Sequence, residues 1–152
     1  MKFISLFFFI FYSIINSFGQ TKKINGRVIT EDFEIIPQVS IKCNDTTIIS
    51  KVDMNGYFEI EIPIKNINLS FGFIGMEWTN IQLTENCDKI ELIMFLDSTY
   101  DFMTFRKIDR IRRRNFKKLP NLYQIAHKKG IFTLTNQCFK QIFVPYNVKQ
   151  KT

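Results

Sequence analysis

Between Lys22 and Leu96 the apolar residues return at every second position, in short runs separated by turn-forming residues. This period constrains the fold more than any other feature, because strands alternate their faces while helices repeat about every 3.6 residues. Lys22–Thr30 carries Ile24 and Val28 on one face with Gly26 between them, and Gln38–Cys43 turns Val39, Ile41 and Cys43 inward. Thr46–Lys51 is a β-branched run, and Tyr57–Ile62 sets Phe58, Ile60 and Ile62 against Tyr57, Glu59 and Glu61. Ile67–Phe73 alternates Ile67, Leu69, Phe71 and Phe73; Glu77–Leu83 offers Thr79, Ile81 and Leu83; Lys89–Leu96 offers Ile90, Leu92, Met94 and Leu96. Seven such runs predict a mainly β fold, a seven-stranded antiparallel sandwich. At 73 residues from Ile24 to Leu96, it is only marginally able to bury its own core.

The stretch Asp53-Met54-Asn55-Gly56 offers two readings. An EF-hand calcium loop needs an oxygen ligand at its fifth position, then a glycine, and a carboxylate at its end. Counted from Asp53, those places hold Tyr57, Phe58 and Ile64, none of which serves. Asn-Gly instead takes the positive φ of a tight turn, so a hairpin turn is expected here, with no metal bound.

Before this region stands "MKFISLFFFIFYSIINSFGQ", with one Lys and then thirteen apolar-rich positions from Phe3 to Ile15. The run is shorter than the roughly 20 residues that cross a bilayer, and it ends in small residues, as a secretory signal peptide does. Ser17 and Gly19 suit the cleavage positions, which places residues 1–19 in the signal and starts the mature chain at Gln20. The alternative is an uncleaved anchor. A lipoprotein would carry Cys directly after the cut, and the first Cys is Cys43.

Three blocks carry a resemblance: "INGRVITEDFEIIPQVSIKC", "SKVDMNGYFEIEIP" and "LSFGFIGMEWTNIQL". Together they resemble the carboxypeptidase regulatory-like domain, a transthyretin-like sandwich. Gly26-Arg27-Val28 matches its first strand and Pro37 to Ile41 its second; Asp53 to Phe58 matches its Asp-x-Asn-Gly-x-Phe turn. Ile74-Gly75-Met76 stands where the family has Ile-Gly-Tyr, with Met in place of the aromatic. Such domains accompany metallocarboxypeptidase catalytic domains and the N-termini of TonB-dependent outer-membrane receptors. The resemblance covers residues 20–96 and implies an accessory module without catalytic residues or cofactors.

At Asp97 both charge and period change. Residues 20–96 balance at −4, whereas residues 97–152 carry thirteen Lys/Arg against three Asp, a balance of +10. Asp97 or Ser98 can cap a helix with Phe102, Phe105, Ile108 and Ile111 on its apolar face. Arg106, Lys107, Arg110, Arg112, Arg113 and Arg114 would form its polar surface, a candidate interaction surface together with Trp78, which points away from the core parity of its strand. Pro120 and Gly130 bracket a second short helix, and an extended segment follows. The basic helix suits three partners: a protein or envelope component, an anionic membrane surface, or nucleic acid on which Phe102, Phe105, Phe116 and Tyr123 could stack. The export signal and the need of those aromatics for packing disfavour nucleic acid. Ile93 and Phe95 add an outward apolar pair to the last sandwich strand, so the helical extension is expected to pack there.

No HExxH, CxxC, P-loop or G-x-S-x-G motif is present, and His127, the single histidine, adjoins Lys128 and Lys129. Glu59 and Glu61 share a strand face, but nothing links them to a second group. The expected function is therefore that of an exported, non-enzymatic accessory module of the bacterial envelope. A secreted carbohydrate-binding or peptidase-associated module is the alternative, and a nucleic-acid or anionic-lipid binder a weaker one. In an oxidising compartment three cysteines cannot all pair within one chain. Cys43 has inward parity, which favours a Cys87–Cys138 bridge; Cys43–Cys87, Cys43–Cys138 and an intermolecular pair remain open.

Overall fold

The computed structural model describes residues 21–44, 47–63 and 68–146. The signal segment, Thr46, Ile64 and Ile67 therefore lie outside the described residues. Those described form eight strands and two helices: β1 (Thr21–Thr30), β2 (Ser40–Cys43), β3 (Thr47–Lys51), β4 (Tyr57–Pro63), β5 (Asn68–Gly72), β6 (Thr79–Leu83), β7 (Lys89–Met94), α1 (Phe105–Phe116), α2 (Leu119–Lys128) and β8 (Phe139–Ile142). A three-stranded sheet runs β4-β1-β7 and a five-stranded sheet β3-β2-β5-β6-β8.

All seven expected strands form, and their period is the cause. In β4 the residues alternate strictly between exposed and buried, with Phe58, Ile60 and Ile62 inside. They join Ile24, Val28, Ile41, Leu69, Phe71, Ile81, Ile90, Leu92 and Met94 between the two sheets. The eighth strand, β8, comes from the basic extension and pairs antiparallel with β6. Gly26 lies where Phe58 crosses β1: a Cβ there would stand 2.2 Å from the Ile90 carbonyl oxygen and 2.5 Å from the Phe58 ring.

Three details differ from expectation. The sandwich is not wholly antiparallel, because β1 pairs with β7 in parallel, from Asn25↔Lys89 to Thr30↔Met94. The Asp53–Gly56 turn is not a hairpin: β3 and β4 belong to different sheets, so the turn carries the chain from one layer to the other. It closes with Asp53 Oδ1 accepting the Asn55 and Tyr57 N–H groups at 2.9 and 2.7 Å, and with Gly56 at φ +82°. Leu96 lies beyond the end of β7 and is exposed, not buried.

The extension covers the outer side of β7. Ile93 and Phe95 pack with Ile29, Leu119, Ala126 and Phe132 in a second cluster. β7 is also the edge of its sheet, and the extension occupies that edge with side chains. The Ile93 N–H donates to the Tyr123 hydroxyl at 3.4 Å, Tyr123 donates to Gln141 Oε1 at 3.1 Å, and Gln141 Nε2 donates back to the Ile93 carbonyl at 3.3 Å. An exposed strand edge invites pairing with other chains, and this three-residue circuit fills part of it. Burial pushes the Tyr123 hydroxyl far above the usual tyrosine range, so it stays a donor. Beside it the buried Glu91 carboxylate accepts the Thr133 and Leu134 N–H groups at 2.9 and 2.8 Å. Cys87 and Cys138 are joined by a disulfide with Cα atoms 5.1 Å apart. Cys43 stays outside that bridge; it is half-buried against the core and not fully enclosed as its parity implied, and burial pushes its thiol pKa up.

Candidate functional site

The candidate interaction residues divide among three places. Helix α1 begins later than the sequence implied, with Thr104 as its N-cap and not Asp97 or Ser98. Its inner face carries Ile108, Ile111 and Phe116, and Phe105 and Tyr146 lie 6.0 Å apart between ring centres. Phe102 does not join that face. It stands ahead of the helix, wholly exposed.

Arg112 belongs to the inner face and is buried, which corrects its assignment to the polar surface. Helical spacing explains this. Positions 108, 112 and 116 fall on one stripe of a helix, so a long cation among them must turn inward. Arg112 Nε donates to Glu77 Oε1 at 2.9 Å and Arg112 NH1 to the Val144 carbonyl at 2.8 Å; the guanidinium also lies over the Phe143 ring at 5.3 Å. Tyr100 donates to the same Glu77 oxygen at 3.3 Å, and burial together with the Glu77 charge pushes its hydroxyl up to about 12. The cluster joins the loop before β6, helix α1 and the stretch after β8. Sequence reading missed Glu77, which lies 35 residues from its partner.

Arg106, Arg110, Arg113 and Arg114 occupy the opposite, exposed face. With Asp109 and Lys117 they line an open groove of about 530 Å³. Asp109 is the one carboxylate of that lining, and it turns inward: its Oδ1 accepts the Tyr146 N–H at 2.8 Å and lies 3.8 Å from Arg112. The groove therefore presents cations without a carboxylate directed among them. Arg113 extends over the Phe143 ring at 4.4 Å, which fixes one member of the row.

Trp78 lies elsewhere, on the outer face of the five-stranded sheet. Thr79 beside it is buried, so the alternation turns Trp78 outward, 42% exposed, as its parity implied. Its indole lies against Gly72, where a Cβ would stand 2.5 Å from the ring, and Lys42 Nζ is 4.7 Å from the ring centre. Trp78, Lys42, Ser40 and Ile74 share a shallow groove of about 480 Å³. Trp78 and Arg112 also line a narrow crevice of about 20 Å³, too small to join the two surfaces into one site.

His127 is half-buried near the end of α2. Glu59 is engaged by Lys23 at 2.8 Å on an exposed strand face. Among the described residues no three His, Cys, Asp or Glu side chains come together to hold a metal ion. No protein-family model matches the chain, and no curated protein matches it.

Proposed function

We propose that this chain is an exported, non-enzymatic β-sandwich module of the bacterial cell envelope, of the carboxypeptidase regulatory-like kind, that binds a protein or another envelope component. The observation that carries the reading is the construction of α1. Its outward arginines sit on a helix locked from behind by Arg112 and Glu77, within an extension tied to the sandwich by a disulfide. A disulfide is the cross-link of a non-reducing compartment, in keeping with export. A cationic face on a helix held from behind is suited to recognition, because little backbone and loop entropy is lost when a partner settles on it.

Cell fractionation with thiol trapping tests this. The expected result is an envelope fraction in which Cys87 and Cys138 resist alkylation. Cysteines that alkylate freely in a cytosolic fraction would end the reading.

The exposed Trp78 supports a second reading, a secreted carbohydrate-binding or peptidase-associated module, because an aromatic shelf beside Lys42 and Ser40 resembles the furniture of a sugar site. A glycan array separates the two: glycan binding lost in Trp78→Ala would favour the sugar site.

A further inference from the structure

The end of α1 nearest Arg106 holds an oddity that the charge alone does not explain. Phe102 is wholly exposed and stands at φ +60°. Left-handed backbone is unfavourable for a bulky residue, and a phenyl ring in water is a second cost at the same position. The turn is nonetheless closed, with the Met103 N–H donating to the Tyr100 carbonyl at 3.3 Å. Met103 and Phe105 are themselves 37% and 51% exposed. A single exposed apolar side chain is ordinary, but here three stand within four residues, directly before a row of unneutralised arginines.

A soluble polyanion would use the arginines and leave Phe102 idle. Nucleic acid would need a series of free rings for stacking, but of the other three candidates only Phe105 is exposed, and one of its sides is taken by Tyr146 at 6.0 Å between ring centres. Phe116 packs edge-on against Phe143 at 5.6 Å between ring centres, and Tyr123 stacks on Phe132 at 6.0 Å. An anionic bilayer interface uses both features at once, since headgroup phosphates meet the cations while the acyl boundary takes the apolar side chain.

We propose that the outward face of α1 docks on anionic phospholipid surfaces, with Phe102 inserting ahead of the helix and Arg106, Arg110, Arg113 and Arg114 along it holding headgroup phosphates. The inference deepens the envelope reading and rests on it only for which bilayer the chain meets. Among the described residues no helix is long and apolar enough to cross a membrane.

The test is co-sedimentation of the oxidised chain with phosphatidylcholine vesicles, with and without phosphatidylglycerol. Binding is expected only with phosphatidylglycerol, and it should fall as salt is added. Each Arg→Gln change among Arg106, Arg110 and Arg114 should weaken partitioning about fivefold. Phe102→Gly should weaken it about tenfold. Glycine suits the positive φ at this position, so that variant keeps the fold, and circular dichroism verifies it. Equal binding to neutral vesicles, no binding to anionic ones, or full binding by Phe102→Gly would each overturn the proposal. So would a single-stranded oligonucleotide that binds more tightly than the vesicles and depends on Phe102. Failure here with an envelope location intact sinks the lipid inference alone; a reduced, cytosolic chain sinks the export reading whatever the vesicles show.

Discussion

Arg112 donates its Nε–H to Glu77 Oε1 at 2.9 Å, with both side chains largely withdrawn from water. Breaking a buried pair from one side leaves the other charge uncompensated, at a cost of about 3–5 kcal/mol. Arg112→Ala should therefore lower unfolding stability by about 3 kcal/mol, and exposed Arg106→Ala by less than about 0.5 kcal/mol. Urea denaturation monitored by circular dichroism checks both. Equal effects would show that Arg112 is as solvated as its neighbours.

Glu91 makes the docked extension sensitive to acid. Burial alone would raise its carboxyl pKa, but the Thr133 and Leu134 N–H groups, with Lys89 and the Thr133 hydroxyl, outweigh it and hold the pKa below the ordinary value of 4.5. A depressed carboxylate pKa contributes stability that is complete above the unfolded value and is lost as pH falls through the folded one. The melting temperature should thus hold near neutral pH and drop below pH 4.5. Glu91→Gln should be less stable at neutral pH by about 2 kcal/mol and should lose part of that acid-dependent drop. Superimposable pH profiles for the two proteins would remove Glu91 from the account.

The Cys87–Cys138 bridge spans 51 positions of sequence. In the chain-entropy picture a loop of that length contributes about 4 kcal/mol. The double variant Cys87→Ser/Cys138→Ser should lose a large share of that, read as a lower urea midpoint. A midpoint unchanged within error would mean that packing of α2 and Phe132 holds the extension unaided.

Asp53 spends its carboxylate on two backbone N–H groups of its own turn. Asp53→Ala should cost about 1 kcal/mol, the ordinary price of a lost side-chain cap. Calcium should leave the melting temperature of the unaltered protein where it was. A calcium-dependent rise that vanishes in Asp53→Ala would restore the metal reading.

What could be read from sequence follows the range over which each cause acts. Period-2 alternation is local, so Phe58, Ile60 and Ile62 declare their strand and its buried face without help from the rest of the chain. The outward pair Ile93 and Phe95 likewise declared that something covers β7, whereas the parity of Cys43 favoured the Cys87–Cys138 bridge without excluding the other pairings. The parallel pairing of β1 with β7 was not legible, because strand partners 64 positions apart leave no mark in either strand's own pattern. Nor was the burial of Arg112. The stripe of positions 108, 112 and 116 is present in the sequence, but six cations in nine residues read as a solvated face, and the Glu77 that makes an inward cation tenable lies on another element. Phe102 misled in the opposite direction: its spacing fitted the helix stripe, but the helix starts three residues after it.

The parallel register of β1 and β7, with Cys87 just ahead of Lys89, determines how the molecule meets mechanical load. Tension applied from the C-terminal side reaches Cys138, crosses the disulfide and enters β7 at its Lys89 end. Tension from the other terminus enters β1 at Thr21, toward the same end of the shared ladder. The ladder bonds are then peeled one after another: β7, α1 and α2 all lie in the loop that the disulfide closes, and of these only β7, held by its bonds to β1 next to Cys87, takes up the load. Once the bridge is reduced, the load strips the extension and enters β7 from Met94, so the ladder is loaded in shear and its bonds must fail together. Single-molecule pulling should find the β1–β7 ladder yielding at lower force in the oxidised chain than in the reduced one, and the reverse order would refute this force path. The cross-link that strengthens the fold against heat thus makes it compliant when pulled from its two ends, and keeps tension between those ends off the cationic helix.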